Sequence, residues 1–168
     1  MGAPTLTIRP FQSNDRAVVR EIFAQGLLDF AGDYLPQVNN YIRESLDDDL
    51  ADISANYLEP PGSCFWVAEL DGKIKGMVGI QHRTDDEAEL RRMSVAGDAR
   101  GQGIARRLLE TAEDFCRKWG YARIRLITDV LLETAIALYR KNGYRIVADE
   151  TSGNVPGYRF VKELNTPD

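Results

Sequence analysis

Apolar positions change their spacing several times along the chain, and each change marks an element. After a short alternating strand at Thr5 to Arg9, residues Val18, Val19, Ile22, Phe23 and Leu27 recur every three or four positions, as on one face of a helix. Asp15 stands where a side chain would cap that helix. A second helical stretch runs from about Val38 to Leu58 through Ile42, Leu46, Leu50, Ile53 and Tyr57, and Glu59-Pro60-Pro61-Gly62 ends it. The spacing then shortens to that of strands. Cys64 to Leu70 and Lys73 to Gln81 are joined by Asp71-Gly72, a pair suited to a tight hairpin, and Glu87 to Val95 follows the polar turn at Arg83 to Asp86. Ile104, Ala105, Leu108, Leu109, Ala112 and Cys116 share one face of a helix that reaches Trp119 and stops at Gly120. A strand at Arg123 to Thr128, a helix from about Leu131 to a stop at Gly143, and strands near Tyr144 to Val147 and Tyr158 to Leu164 follow. The order β, α, α, β, β, β, α, β, α, β, β predicts an α/β (α+β) fold, a mixed sheet covered by helices.

Composition narrows the class. The 168 residues fit one domain, read here as residues 1–168, and 43% apolar with 28% charged side chains is a globular balance. No run approaches the ~20 apolar residues that span a bilayer, and the opening MGAPTLTIRP lacks a secretory pattern and has Leu6 where a myristoylation motif wants Ser or Thr. The expectation is a cytoplasmic protein with no membrane partner. Cys64 and Cys116 both fall in apolar patterns and read as buried free thiols, with no sign of a metal site. A net charge of −5 argues against nucleic acid as a partner. That charge is uneven, however. Residues 91–145 carry twelve of the 21 basic residues against six acids, a net of +6 beside −11 for the remainder. Such a stretch fits a small anionic ligand held locally, and equally fits solvated arginines on two helices.

The stretch Asp98 to Glu110, DARGQGIARRLLE, puts Gly101 and Gly103 directly ahead of a helix. A helix start offers unpaired N–H groups and about half a positive charge, and glycine lets a phosphate approach closely. The same glycines would also serve a tight strand-to-helix turn. There is no GxxxxGK[ST], and GxGxxG breaks at Arg106.

Arg100-Gly101-Gln102-Gly103-Ile104-Ala105 resembles the R/Q-x-x-G-x-G/A acyl-CoA signature of the GNAT superfamily of N-acyltransferases. Upstream AELRRMSV is similar to that family's central strand, AIALYRKNGY to its second conserved helix and turn, and TIRPFQSNDRAVVREIF to its first strand and helix. The likeness spans about residues 5–164 and is weakest over Val38 to Pro61, where the family varies and selects acceptors. It implies a GNAT-like, mostly antiparallel mixed sheet flanked by helices, acetyl-CoA as acyl donor, and an amine acceptor. The pyrophosphate would lie on the backbone of Arg100, Gly101, Gln102, Gly103, Ile104 and Ala105 with Arg106 nearby, and pantetheine would run along Met93, Ser94 and Val95 as an added strand. A homodimer is compatible with this reading.

Attack of an amine on a thioester needs a proton acceptor, an oxyanion donor and a donor for the departing thiolate. The resemblance assigns the last role to Tyr139, which the helix pattern alone also reads as a core aromatic, and the oxyanion donor to the N–H of Met93. For the base, Glu89 lies on the central strand, where strict alternation puts it on one face with Arg91, Met93 and Val95. Glu87, His82 and a water chain stay open. Where the family often has Asn near the start of the second helix, this chain has Leu132. Six acids between Glu44 and Glu59, with Asp47, Asp48 and Asp49 consecutive, fit either an exposed helix face or recruitment of a cationic acceptor. A non-catalytic acyl-CoA sensor and a dinucleotide-dependent oxidoreductase are the alternatives from other classes.

Overall fold

The computed structural model describes residues 2–164; Met1 and residues 165–168, which the sequence reading places in the same domain, lie outside the described residues. Seven strands form one sheet: β1 Leu6–Pro10, β2 Cys64–Leu70, β3 Lys73–His82, β4 Glu87–Val95, β5 Arg123–Asp129, β6 Arg145–Ser152 and β7 Val155–Glu163. Their order is β1-β2-β3-β4-β5-β7-β6, and every pair is antiparallel except β4 with β5. The expected mixed, mostly antiparallel sheet is therefore what the chain builds. Helices α1 (Arg16–Leu28) and α2 (Leu35–Asp47) cover one face, and α3 (Ile104–Trp119) and α4 (Glu133–Lys141) the other. No helix among the described residues is long and apolar enough to cross a membrane.

Both faces of the central strands are buried, so a strand such as β2 reads as a continuous apolar run. Its Phe65 and Val67 pack with Val19, Phe23 and Leu50 under α1 and α2, while Trp66 and Ala68 pack with Leu108, Leu109 and Ala112 of α3. The hairpin turn at Asp71-Gly72 has φ of 52° and 80°, the left-handed pair that the sequence predicts. Gly153-Asn154 makes a second turn of this kind, which lengthens β6 and β7 beyond the strands read from the sequence.

Four expectations are corrected. The helix expected over Val38 to Leu58 is two pieces: α2 stops at Asp47, the chain leaves helical geometry at Asp48, and a separate π-type turn forms at Ser54–Leu58. Asp15 precedes α1, but its carboxylate does not cap it; both oxygens bind the Arg9 guanidinium at 2.7 and 3.0 Å. Cys64 is only half-buried, whereas Cys116 is buried, and both are free.

The fourth correction concerns β4. Arg91 pairs with Gly79 and Ser94 with Met77, so Arg92 and Met93 together oppose the single residue Val78. This is a β-bulge, and Arg92 takes a left-handed φ of 62° in it. The extra residue reverses the alternation. Glu89 and Arg91 stay on the α1–α2 side, but Met93 and Val95 pack against the α3 side with Leu90. On its other edge β4 pairs with β5 only from Glu87 to Glu89, against Arg123 to Arg125, and the two strands then part.

Gly157 on β7 faces this parting from the far side of β5. A Cβ there would press into the Thr128 carbonyl oxygen and lie 3.0 Å from Cα of Asp129, both backbone atoms that cannot swing away. Gly157→Ala is therefore expected to cost about 1–3 kcal/mol of stability, measured by urea unfolding; an unchanged midpoint would show that β5 and β7 separate freely.

Candidate active site

The bulge is anchored by a buried ion pair. Arg92, 9% exposed, donates from Nε and Nη2 to the two oxygens of Asp49 at 3.0 and 2.6 Å, and from Nη1 to the Tyr41 hydroxyl at 3.0 Å and Ser45 Oγ at 3.1 Å. Its guanidinium carbon lies 5.1 Å from the Phe23 ring centre and 5.6 Å from that of Tyr41. Burial alone would raise the Asp49 carboxyl, but the bonds and charge of Arg92, the charge of Arg91 and the hydroxyl of Tyr57 outweigh it and hold it below its ordinary value. Asp49 is thus not one of the exposed acids that the sequence groups it with. It is the counter-ion that fixes β4 to the chain just beyond α2.

Where β4 and β5 part, two adjoining cavities open. The larger, of about 330 Å³, lies between Met93–Val95 of β4, the loop and first residues of α3 (Ala99 to Gly101 and Gly103 to Arg106), Gly26 and Leu27 of α1 with Phe30 just beyond it, and Leu132 with Glu133 to Ala135 and Leu138 of α4. Of the ten residues that the resemblance assigns to acetyl-CoA, Met93, Ser94, Val95, Arg100, Gly101, Gly103, Ile104, Ala105 and Arg106 line it; Gln102 is exposed and does not. Gly101 and Gly103 have φ of 79° and 80°, and a Cβ on either would meet nothing within 4 Å. Gly103 is the N-cap of α3 and no side chain caps that helix start, so its first N–H groups are free for a ligand. Arg100 leans over Phe30, its guanidinium carbon 4.7 Å from the ring centre, and reaches Asp29 at 3.0 Å. Leu132 ends up as the N-cap residue of α4, with no polar cap, and lines both cavities.

The smaller cavity, about 80 Å³, shares Leu27, Met93, Ser94, Leu132 and Ala135 with the larger and adds Arg91, Arg92, Asp129 and Tyr139. Burial pushes the Tyr139 phenol above its usual range, and its hydroxyl has no hydrogen-bond partner among the described residues. The base candidates from the sequence lie elsewhere. Glu89 lines neither cavity and is paired with Arg125 at 3.2 Å and Arg91 at 3.9 Å. Glu87 binds Arg83 and Arg123, and His82 is an exposed strand-end residue whose Nδ1 lies 2.8 Å from the Tyr121 hydroxyl.

Sequence reasoning missed Phe30, Tyr41, Arg92, Asp49 and Asp129. For Arg92 a signal was there: Ala88 and Leu90 set one alternation, Met93 and Val95 resume in the opposite phase, and the break falls on Arg91-Arg92. For the other four no local pattern distinguishes them from surface or core residues.

The chain matches the model of the acetyltransferase (GNAT) family over residues 27–144. It belongs to the GNAT family. It is 41% identical over 119 residues to N-acetylaspartate synthetase of Danio rerio, covering 70% of this chain and 42% of that one. It is 40% identical over 111 residues to N-acetyltransferase 8 of Rattus norvegicus, covering 63% of this chain and 50% of that one. The chain thus spans half or less of the length of these two curated relatives. Among solved structures, a GNAT-family acetyltransferase from Staphylococcus aureus superposes with a TM-score of 0.78 at 21% identity over 96% of this chain and all of that one. The PaiA N-acetyltransferase of Thermoplasma acidophilum, in complex with coenzyme A, gives 0.78 at 21% identity over 95% and 99%. The GNAT fold is thereby shown on sequence and structure alike.

In this GNAT chain the Arg92–Asp49 pair is expected to govern both stability and cleft shape. Asp49→Ala should cost about 3–5 kcal/mol in urea unfolding at neutral pH, because it strands a buried cation. A carboxylate held below its ordinary value contributes stability that is complete above the unfolded pKa of ~3.9 and is lost as pH falls further. The gap between wild type and variant should therefore narrow below about pH 4, and a gap that stays constant down to pH 2 would show that the carboxylate charge is not what Arg92 requires.

Proposed function

We propose that this protein transfers acetyl from acetyl-CoA to a small primary amine within a ternary complex. The observation that carries the reading is the pair of joined cavities along the free edge of β4, with the glycine loop and α3 start at one end and Tyr139 at the other. The larger cavity suits CoA: an apolar channel for pantetheine, left-handed glycines with open space above them, and unpaired N–H groups for the pyrophosphate. Neither neighbouring strand pairs with Met93, which leaves its N–H available to a thioester oxygen as charge develops there. Tyr139, held neutral by burial, would give its proton to the departing thiolate.

The acceptor we propose carries a carboxylate beside its amine, as an α-amino acid does. Arg91 and Arg92 both line the acceptor-side cavity; Arg92 is taken up by Asp49, while Arg91 is held by Gln81 and by carboxylates no nearer than 3.8 Å, which leaves it the cation to meet an acceptor's carboxylate. One relative is named for making N-acetylaspartate, an acetylated amino acid, which agrees with this choice. A cationic acceptor drawn by the acidic segment is the competing reading, supported by the exposed Glu44, Asp47, Asp48, Asp52 and Glu59, none of which lines either cavity.

Two outcomes test the reading. Gly103→Asp, which puts a carboxylate into the open space at the helix start, should weaken CoA binding by tenfold or more, equal to about 1.4 kcal/mol, in a protein that still folds. Wild-type affinity in the folded variant would remove the loop from the CoA site. Incubation with acetyl-CoA and a panel of amines, read by mass spectrometry, should show acetylated amino acids ahead of polyamines; products from polyamines alone would reverse the acceptor assignment, and CoA binding with no product from any amine would make the protein a sensor.

A further inference from the structure

We propose that Asp129 accepts the proton that the incoming amine must lose. This rests on the acetyl-transfer reading above. Asp129 ends β5 where that strand has parted from β4, and it lines the smaller cavity together with Met93 and Tyr139. It is 6% exposed. Its Oδ1 accepts the Leu131 N–H at 2.9 Å, and no side chain donates to it among the described residues. Among the described residues Asp129 is the one carboxylate that lines the smaller cavity; Glu133 is an exposed residue at the larger one, and the others nearby are committed, Asp49 to Arg92, Glu89 to Arg125, Glu87 to Arg83 and Arg123, and Asp29 to Arg100. A carboxylate neutralised by an arginine is a poor proton acceptor, because the cation stabilises the form that must be consumed. Asp129, buried in the smaller cavity, has no such brake.

The charged and titratable groups that face the cavity or the row around Asp129 do not supply one. On β4, Arg91 bonds Gln81 and Arg92 bonds Asp49; on α2, the Tyr41 hydroxyl accepts from Arg92. On α4 the neighbours are Tyr139 and Glu133, and across β7 lie Tyr158 and Arg159, the latter 3.6 Å from Glu150 of β6. Burial raises the Asp129 carboxyl above its ordinary value, offset in part by the N–H groups of Leu131 and Leu132. A carboxylate raised in this way is a better match to an ammonium than one at ~3.9.

The step balances as follows. The acceptor arrives as R–NH3+ and gives one proton to the Asp129 carboxylate. The free amine nitrogen forms a bond to the thioester carbonyl carbon, and the C–S bond breaks. Tyr139 protonates the leaving thiolate and recovers a proton from the nitrogen as the amide forms, and Asp129 releases its proton to water. Acetyl-CoA and R–NH3+ thus become R–NH–acetyl, CoA–SH and H+.

The test is Asp129→Asn, which keeps an oxygen for the Leu131 N–H and so preserves the turn, but cannot take a proton. With an amino-acid acceptor identified by the screen above, the variant should bind CoA as wild type does and lose about 10²-fold or more in kcat/KM at pH 7. The deficit should shrink as pH rises toward the amine's own pKa, where solution supplies the free amine. Tyr139→Phe, by contrast, should be impaired with the acidic limb of the pH profile still in place. An Asp129→Asn variant within about threefold of wild type at pH 7, or a deficit equal at all pH values, would overturn the proposal and leave Asp129 as a turn residue. If wild type acetylates no amine at all, the transferase reading fails first and this inference with it.

Discussion

The cleft depends on one buried cation. Arg92 points into the α1–α2 side of the sheet from a left-handed backbone conformation that costs an L-residue about 1 kcal/mol. What holds it there is a two-oxygen grip by Asp49, two further hydrogen bonds and two aromatic faces. Removing any such partner leaves charge without water, so the arrangement is closed rather than adjustable. Two consequences follow for the site. The bulge sends Met93 and Val95 to the α3 side, where the glycine loop lies, and α2 is tied to β4 just where the smaller cavity needs a wall. A single extra residue in one strand thereby sets the path of the larger cavity and the floor of the smaller.

That dependence explains what the sequence made legible. Elements whose stability comes from one periodic face, such as α1, α3, β2 and the Asp71-Gly72 hairpin, were readable within a residue or two, and so was the glycine turn ahead of α3, because its backbone requirement is local. The helix expected over Val38 to Leu58 failed for a tertiary reason: its apolar spacing is real, but Asp49 must turn inward to Arg92, and no helix can continue through that turn. The face of Glu89 failed for the same reason, since one bulge reverses every later position. Glycines were readable as glycines but not as kinds. Gly103 has open space where a side chain would go, while Gly157 is crowded by the backbone of β5, and nothing in their neighbours in sequence separates the two.

Charge along the chain behaves in the same way. The basic excess of residues 91–145 suggests an anion's pocket, yet in the fold many of those arginines meet acids. Arg92 meets Asp49, Arg123 meets Glu87, Arg125 meets Glu89, Arg100 meets Asp29, and Arg117 lies beside Glu113 and Asp114. The first four of those acids lie outside the segment. Segregation of charge in the sequence is thus largely a record of pairing across the sheet and between α1, α2 and β4. What the pairing leaves over is more informative than the excess itself. Arg100 and Arg106 remain at the mouth of the larger cavity, held only by partners at least 30% exposed, so an incoming phosphate displaces weak contacts rather than buried ones. In the smaller cavity Arg92 is held by Asp49 and Arg91 only loosely, and the group without a counter-charge is Asp129. A cleft with lightly held cations at one end and an unpaired carboxylate at the other has the polarity that the proposed acetylation would use, because the phosphates of CoA and the ammonium of an acceptor carry opposite charges.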